Sequence, residues 1–388
     1  MSALDKTVAL LDRLVAHRTV SSDSNLAMIG DLAQMLDALG AQVELFHDTT
    51  GTKANLLARL GPDGPGGLLL SGHTDVVPVA DQAWTGDPFT LRARDGRLYG
   101  RGTCDMKGFI AAALVTAQDW AARDLHRPVY FALTHDEEVG CLGARALMPH
   151  LQARALRPDV TLVGEPTGMQ VVEGHKGCCE YTVRFTGRAG HGSAPDRGVN
   201  AAEYAVRYVS ALMDLRGDLM LRAPKDSRFA PPWTTLNLGR IAGGVAHNVI
   251  AETAEVAWEM RPVQDSDRAY VLDRITALVD DELRPLMQAL APEADIVTEI
   301  IGEVPGLQPQ ARNPARDLVA AVTGANGADV VPFGTEAGLF QGLGLPTVIC
   351  GPGFIDQAHR ADEFIALDQL QACLQMLDRL GGILLFAD

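Results

Sequence analysis

Apolar, strand-like runs in this sequence lead again and again to a side chain able to bind a metal ion. His73 follows LLLSG, Asp105 lies in LYGRGTCDMKG, Glu138 follows VYFALTHDE, Glu165 follows VTLVG, and His359 closes TVICGPGFIDQAH. In open α/β sheets, ligands gather beyond the carboxyl ends of strands. A chain with this pattern is therefore constrained to bring those ends to one edge. An open zinc site takes three protein donors and leaves a position for water. Two such sites need six donors, and five residues supply six if one carboxylate bridges. Charge closes as well: two divalent cations balance three carboxylates and a bridging hydroxide. The pattern reads as a two-metal hydrolase, with zinc as the expected ion and cobalt as a possible substitute.

Size and charge narrow the partners. A length of 388 residues suffices for two domains. With 33 basic and 49 acidic side chains the net charge is −16, which argues against nucleic acid or an anionic membrane surface as partner. The opening MSALDKTVALLDRLVAHRTVSS has helical apolar spacing with Asp5 and Asp12 among it, unlike a secretory signal. The most apolar internal stretch, 109–117, is too short to span a bilayer. The six cysteines form no spaced framework, and Cys178 and Cys179 are adjacent, so free thiols in a reducing cytoplasm are expected.

Three segments of two textures follow one another along the chain. Over residues 1–177, helical patterns at 4–17, 25–39 and 107–122 alternate with strand-like runs at 42–46, 55–60, 67–71, 129–134 and 160–163. That alternation predicts an α/β domain with a mostly parallel sheet and helices on both faces. The middle differs: alternating strands at 181–186, 234–240 and 252–260 accompany helices at 201–215 and 266–290, which fits a small α+β domain. Buried strands at 330–332 and 346–350 and a helix at 367–380 then restore the first texture. Because His359 lies in this tail, segments 1–177 and 296–388 are expected to form one discontinuous catalytic domain, interrupted by a smaller insert at 178–295.

Within the motifs, Asp75 sits two residues beyond His73. In extended chain it shares the same side and can accept the free ring N–H of His73. Asp105, in the motif with fewest other donors, is assigned the bridging place. The GRGTCDMKG loop lacks the spacing of a phosphate cradle, and Cys104 has no neighbouring base to activate it. Adjacent Glu137 and Glu138 point in opposite directions at a strand end. Glu138 is taken as ligand and Glu137 as general base and acid. Arg261 closes an alternating strand, where its planar fork suits a substrate carboxylate. His191 and Asn248 lie in GRAGHGSAP and GGVAHNVI and are individually unremarkable.

Taken together, SGHTDVVP, GRGTCDMKG, THDEE, GEPT, GHGSAP, GGVAHNVI and GPG…AH, from about residue 70 to 363, resemble the motifs of the dinuclear-zinc metallohydrolases. That family includes carboxypeptidase G-like enzymes, aminoacylases, succinyl-diaminopimelate desuccinylase and acetylornithine deacetylase. TLNLGRIAGG at 235–244, TEAGLF at 335–340 and GPGFIDQAH at 351–359 are most similar to the acetylornithine deacetylase branch. The resemblance implies His73 and Glu165 on one zinc, Glu138 and His359 on the other, and Asp105 between them. It implies Asp75 orienting His73 and Glu137 moving the proton. The insert would act as a lid that also dimerises, with His191 reaching the partner subunit's site to stabilise an oxyanion. Asn248 and Arg261 would hold the substrate α-carboxylate, and Glu336 a distal ammonium. The implied reaction is hydrolysis of a small N-acyl amino acid, N2-acetyl-L-ornithine to L-ornithine and acetate in arginine biosynthesis. Desuccinylase, acetylcitrulline deacetylase and broad aminoacylase activities share the metal residues. A non-catalytic metal-binding scaffold is expected to lack one of them, and none is lacking.

Overall fold

The runs at Leu68–His73, Val129–Thr134 and Val160–Val163 are buried at every position, as parallel strands covered on both faces must be. In the structure, a computed structural model that describes residues 1–386, they form the middle of an eight-stranded sheet. Val129–Thr134, Leu68–His73, Val160–Val163 and Thr347–Ile349 run side by side and parallel. Ala54–Leu60 and Gln42–His47 extend one side antiparallel. Val172–His175 adds antiparallel to the other. The parallel part is thus these four strands, the three strands just named flank them antiparallel, and Asp329–Val331 lies outermost beside Val172–His175.

Helices cover both faces of this sheet. Leu56, Leu68, Leu70, Phe131 and Leu162 enter one core with the helices Ala3–Ala16, Leu26–Ala38, Gly108–Ala121, Pro314–Thr323 and Leu367–Leu384. Alternate positions such as Leu57, Leu69 and Tyr130 lie outside that core, on the side where Leu142–Ala153 and Ala337–Gly342 pack. Gly108–Ala121 is buried almost throughout, which accounts for its weak amphipathic pattern in the sequence. No helix among the described residues is long and apolar enough to cross a membrane.

The chain divides into two units: Met1–Gly174, Pro309–Val330 and the residues from Thr335 on, and His175–Gln308 with Val331–Gly334. In the second, the strands Thr235–Gly243, Thr253–Arg261, Cys178–Thr186 and Asp295–Val304 form, in that order, an antiparallel sheet. Its alternate residues Cys179, Tyr181, Val183 and Phe185 pack with the helices Ala201–Leu221 and Asp265–Ala277. From sequence the chain is expected to rejoin the first unit at residue 296. Instead, Asp295–Val304 pairs with Cys178–Thr186 and keeps the smaller unit running to Gln308. This edge strand is exposed from Val297 to Ile301 and bulged between Ile300 and Gly302, so it has no period-two signal to read.

Candidate metal centre

The four parallel strands end at one edge, and one strand end and the loops leaving that edge supply four of the five expected ligands. His73 is the last residue of its strand, opposite Thr134. Glu138 follows Thr134 by a short turn in which Asp136 has φ 54°. Glu165 follows Val163 through Gly164, where a side chain has no room: a Cβ would lie 2.0 Å from the Phe109 ring. His359 lies beyond Ile349 in a longer loop. Asp105 comes from the turn that enters Gly108–Ala121.

These side chains converge. Asp105 presents one oxygen to each histidine: Oδ1 lies 2.8 Å from His73 Nε2, and Oδ2 lies 3.1 Å from His359 Nε2. Glu138 lies 3.1 Å from His359 Nε2, and Glu165 3.8 Å from His73 Nε2. Among the described residues, histidines are the cationic partners of Asp105, Glu138 and Glu165, and no Lys or Arg pairs with them. Ligand atoms of His73, Asp105 and Glu138 fall within 4.8 Å of one another, as do those of His73, Glu137 and Glu165.

The electrostatics of this cluster call for positive charge. Burial, with Asp105 adding to it, pushes Glu138 and Glu165 above the ordinary carboxylate range. Burial also lifts Glu137 to about 8, with His73 opposing and Glu138 and Asp105 assisting. Hydrogen bonds to Asp105 and Glu138 raise His359 to about 10. His73, despite burial, is held well above its usual value by Asp105 and Glu165. Glu165 Oε1 is buried without a hydrogen-bond partner among the described residues, a costly state for a carboxylate oxygen. Two imidazoles and three carboxylates, one with an orphaned oxygen, fit divalent cations of the zinc type. Such ions would take over the role that protons play in stabilising this cluster.

Two expected contacts differ. His73 Nδ1 meets the main-chain oxygen of Asp75 at 2.9 Å, whereas the Asp75 carboxylate is 3.6 Å away. That carboxylate instead accepts the backbone N–H groups of Glu137 and Glu138, at 3.0 and 3.3 Å, and the hydroxyl of Ser21 at 2.7 Å. Asp75 therefore positions the paired glutamates. Glu336, expected to read a substrate ammonium, has no exposed surface. It accepts the hydroxyls of Ser71 (2.6 Å) and Thr134 (2.8 Å), beneath the strand ends. It is placed to join two strands, not to meet a substrate.

Glu137 has a neighbour that the sequence did not advertise. The thiol of buried Cys141 donates to Glu137 Oε1 at 3.3 Å, while Gly140 and Cys141 return their N–H groups to the Glu137 carbonyl. Glu363 and Arg101, also not singled out, are both buried and paired at 2.7 Å. Their signal was position alone, Glu363 lying four residues after His359 and Arg101 four before Asp105.

His191, Asn248 and Arg261 belong to the smaller unit. Gly190–His191 pairs with Val249–Ile250, and the Gly192 N–H donates to the Asn248 carbonyl, so His191 and Asn248 share one turn region. His191 is exposed, with Nδ1 2.7 Å from Ser193 Oγ. Arg261 directs two nitrogens at one oxygen of Glu259, at 2.9 and 3.1 Å.

Residues 69–381 match the family described as Peptidase family M20/M25/M40. An acetylornithine deacetylase of Shigella sonnei (strain Ss046) is 40% identical over 344 residues, covering 88% of this chain and 86% of that protein. Among solved structures, an M20 family metallo-carboxypeptidase from Sulfolobus solfataricus superimposes with a TM-score of 0.75 at 17% identity, covering 97% of this chain and 98% of the other. A dinuclear metal-binding peptidase of the M20 family from Bacillus subtilis gives 0.66 at 15% identity, with 98% of each chain covered. At those identities the two structures speak to the fold.

Proposed function

The chain belongs to peptidase family M20/M25/M40, and on that premise we propose that this metal-dependent amidohydrolase removes the acetyl group from N2-acetyl-L-ornithine, yielding L-ornithine and acetate. The observation that carries the reading is the pair of oxygens on Asp105, each facing a different histidine. The 40% identity to an acetylornithine deacetylase supports the substrate. A place in arginine biosynthesis follows from that substrate.

His73 and Glu165 would hold one cation, Glu138 and His359 the other, and Asp105 both. Two such ions, zinc or cobalt, would polarise the amide carbonyl and make water acidic enough to attack near neutral pH. Glu137 takes the proton of the attacking water and passes it to the departing α-nitrogen, so one carboxyl group serves as base and then as acid. Burial keeps that carboxyl basic enough for the task. Asp75 fixes Glu137 through its backbone N–H, and the Cys141 thiol fixes one of its oxygens. His191 is assigned to the developing oxyanion, contributed by the partner subunit of a homodimer, and Arg261 with Asn248 to the substrate carboxylate. Six free cysteines, with no disulfide among the described residues, support a cytoplasmic location.

The burial of Glu336 favours a second reading in which the distal ammonium goes unread and other acyl amino acids compete. Side-by-side kcat/KM values on N-acetylornithine, N-acetylcitrulline and N-succinyl-diaminopimelate test both. Preference for the first supports the proposed substrate. Preference for either of the others, or equal rates on all, overturns it.

A further inference from the structure

Asp105 and His359 come from loops more than 250 positions apart in the chain, yet their side chains meet at 3.1 Å. One buried carboxylate, that of Glu363, ties these loops together. Glu363 Oε1 accepts the backbone N–H groups of Cys104 (2.9 Å) and Asp105 itself (3.1 Å). Its Oε2 accepts the N–H of Gly102 (3.1 Å) and the guanidinium of Arg101 (2.7 Å). The Glu363 carbonyl takes the N–H of Gly100. A single residue thus engages five donors from the six-residue stretch 100–105. The strand that follows, Phe364–Ala366, continues the pairing against Arg97–Tyr99.

A second arm reaches the histidine. Arg101 Nη2 donates to Gln82 Oε1 at 2.6 Å, and the amide nitrogen of Gln82 donates to the His359 carbonyl at 3.0 Å. His359 sits at φ 61°, a backbone conformation that L-residues seldom hold unaided. The side chains run in an unbroken series: the main chain of Asp105, Glu363, Arg101, Gln82, the main chain of His359. No member of the series needs to touch a cation or a substrate.

We propose that Glu363, with Arg101 and Gln82, is a positioning device that sets the separation of Asp105 and His359 and thereby the affinity of the second cation site, the one completed by Glu138. This rests on the metal-centre reading above. The physical reason is that an ion's affinity for a site depends on how rigidly its ligands are held before it arrives. The His73–Glu165 side is anchored separately, by the strands Leu68–His73 and Val160–Val163, and depends on this brace only through Asp105.

The test is stepwise Zn²⁺ titration, by calorimetry, of the metal-stripped chain and of its Glu363→Gln and Gln82→Leu variants. Thermal melting without metal shows which variants are folded. The wild type is expected to take up two ions in resolvable steps. Glu363→Gln is expected to weaken one of the two steps by about tenfold or more and the other less, as loss of an outer hydrogen-bond partner of a ligand does. Gln82→Leu, at a half-exposed position, is expected to act in the same direction with a folded chain and decides the matter if Glu363→Gln does not fold. Folded variants with both steps within twofold of wild type overturn the brace. A wild-type chain that binds no Zn²⁺ overturns the metal centre and the brace with it, which separates the two failures.

Discussion

His73 directs its Nδ1 at the main-chain oxygen of Asp75, 2.9 Å away, and not at the Asp75 carboxylate. A carbonyl oxygen only accepts, so Nδ1 is a donor here, and Nε2 is the nitrogen that faces Asp105 and Glu165. The carboxylate is thereby released to hold the N–H groups of Glu137 and Glu138. One residue holds the His73 ring by its backbone and the main chain of Glu137 and Glu138 by its side chain.

Asp75→Asn separates these two roles. The carbonyl survives, so the His73 ring keeps its partner and metal content stays at the wild-type level. The asparagine amide offers one acceptor where two backbone N–H groups and the Ser21 hydroxyl need acceptors. We expect kcat to fall by about 10- to 100-fold with KM little changed. Steady-state kinetics with elemental analysis check this; loss of metal with kcat intact speaks for a carboxylate that orients His73.

Glu137→Gln keeps the shape of the proposed proton carrier and removes its basicity. The expected loss in kcat is about 10²- to 10⁴-fold with both cations retained. If the variant loses metal and keeps its rate, Glu137 and Glu138 have exchanged roles.

Cys141 offers a finer probe. Cys141→Ala deletes the donor to Glu137, and Cys141→Ser replaces a weak donor with a stronger one at the same place. The alanine variant is expected to lose about two- to tenfold in kcat, the worth of one modest hydrogen bond, and serine to restore it. Equal kinetics in all three proteins would show that the thiol merely fills space.

His175 predicts a pH dependence of stability. Burial lowers its pKa from 6.5 to about 4, against a weaker opposing hydrogen bond to the Lys176 carbonyl. Between those values the unfolded chain binds a proton that the folded chain refuses. Stability is therefore full above about pH 6.5 and falls as pH drops toward 4, by up to about 3 kcal/mol. Urea unfolding across this range, in wild type and His175→Gln, should show a pH slope shallower by about one proton in the variant. Parallel slopes contradict a neutral buried imidazole.

Much of the candidate site was legible in the sequence because most of its expected ligands follow strands buried on both faces. VYFALT and VTLVG are largely apolar, so the charged residues that follow them stand out, and parallel neighbours deliver Glu138 and Glu165 to one edge. Other features left no such trace. Asp75 has the right spacing for His73, but which of its oxygens meets the ring depends on how the chain turns after the strand. Glu336 lies in TEAGLF, where nothing local says that Ser71 and Thr134 wait to bury it. Glu363 sits in RADEF, which reads as a charged surface loop until the backbone of residues 100–105 folds over it. Such partners are long-range, and neither periodicity nor local spacing records them.

The most direct measurement is hydrolysis of N-acetylornithine by the chelator-stripped chain as Zn²⁺ is added back in known equivalents. Activity should be absent at the start and climb to a plateau when two ions are bound per chain, with Asp105→Ala failing to recover. Hydrolysis that survives stripping, or a chain that binds no second ion, would contradict a centre in which Asp105 lies between two cations.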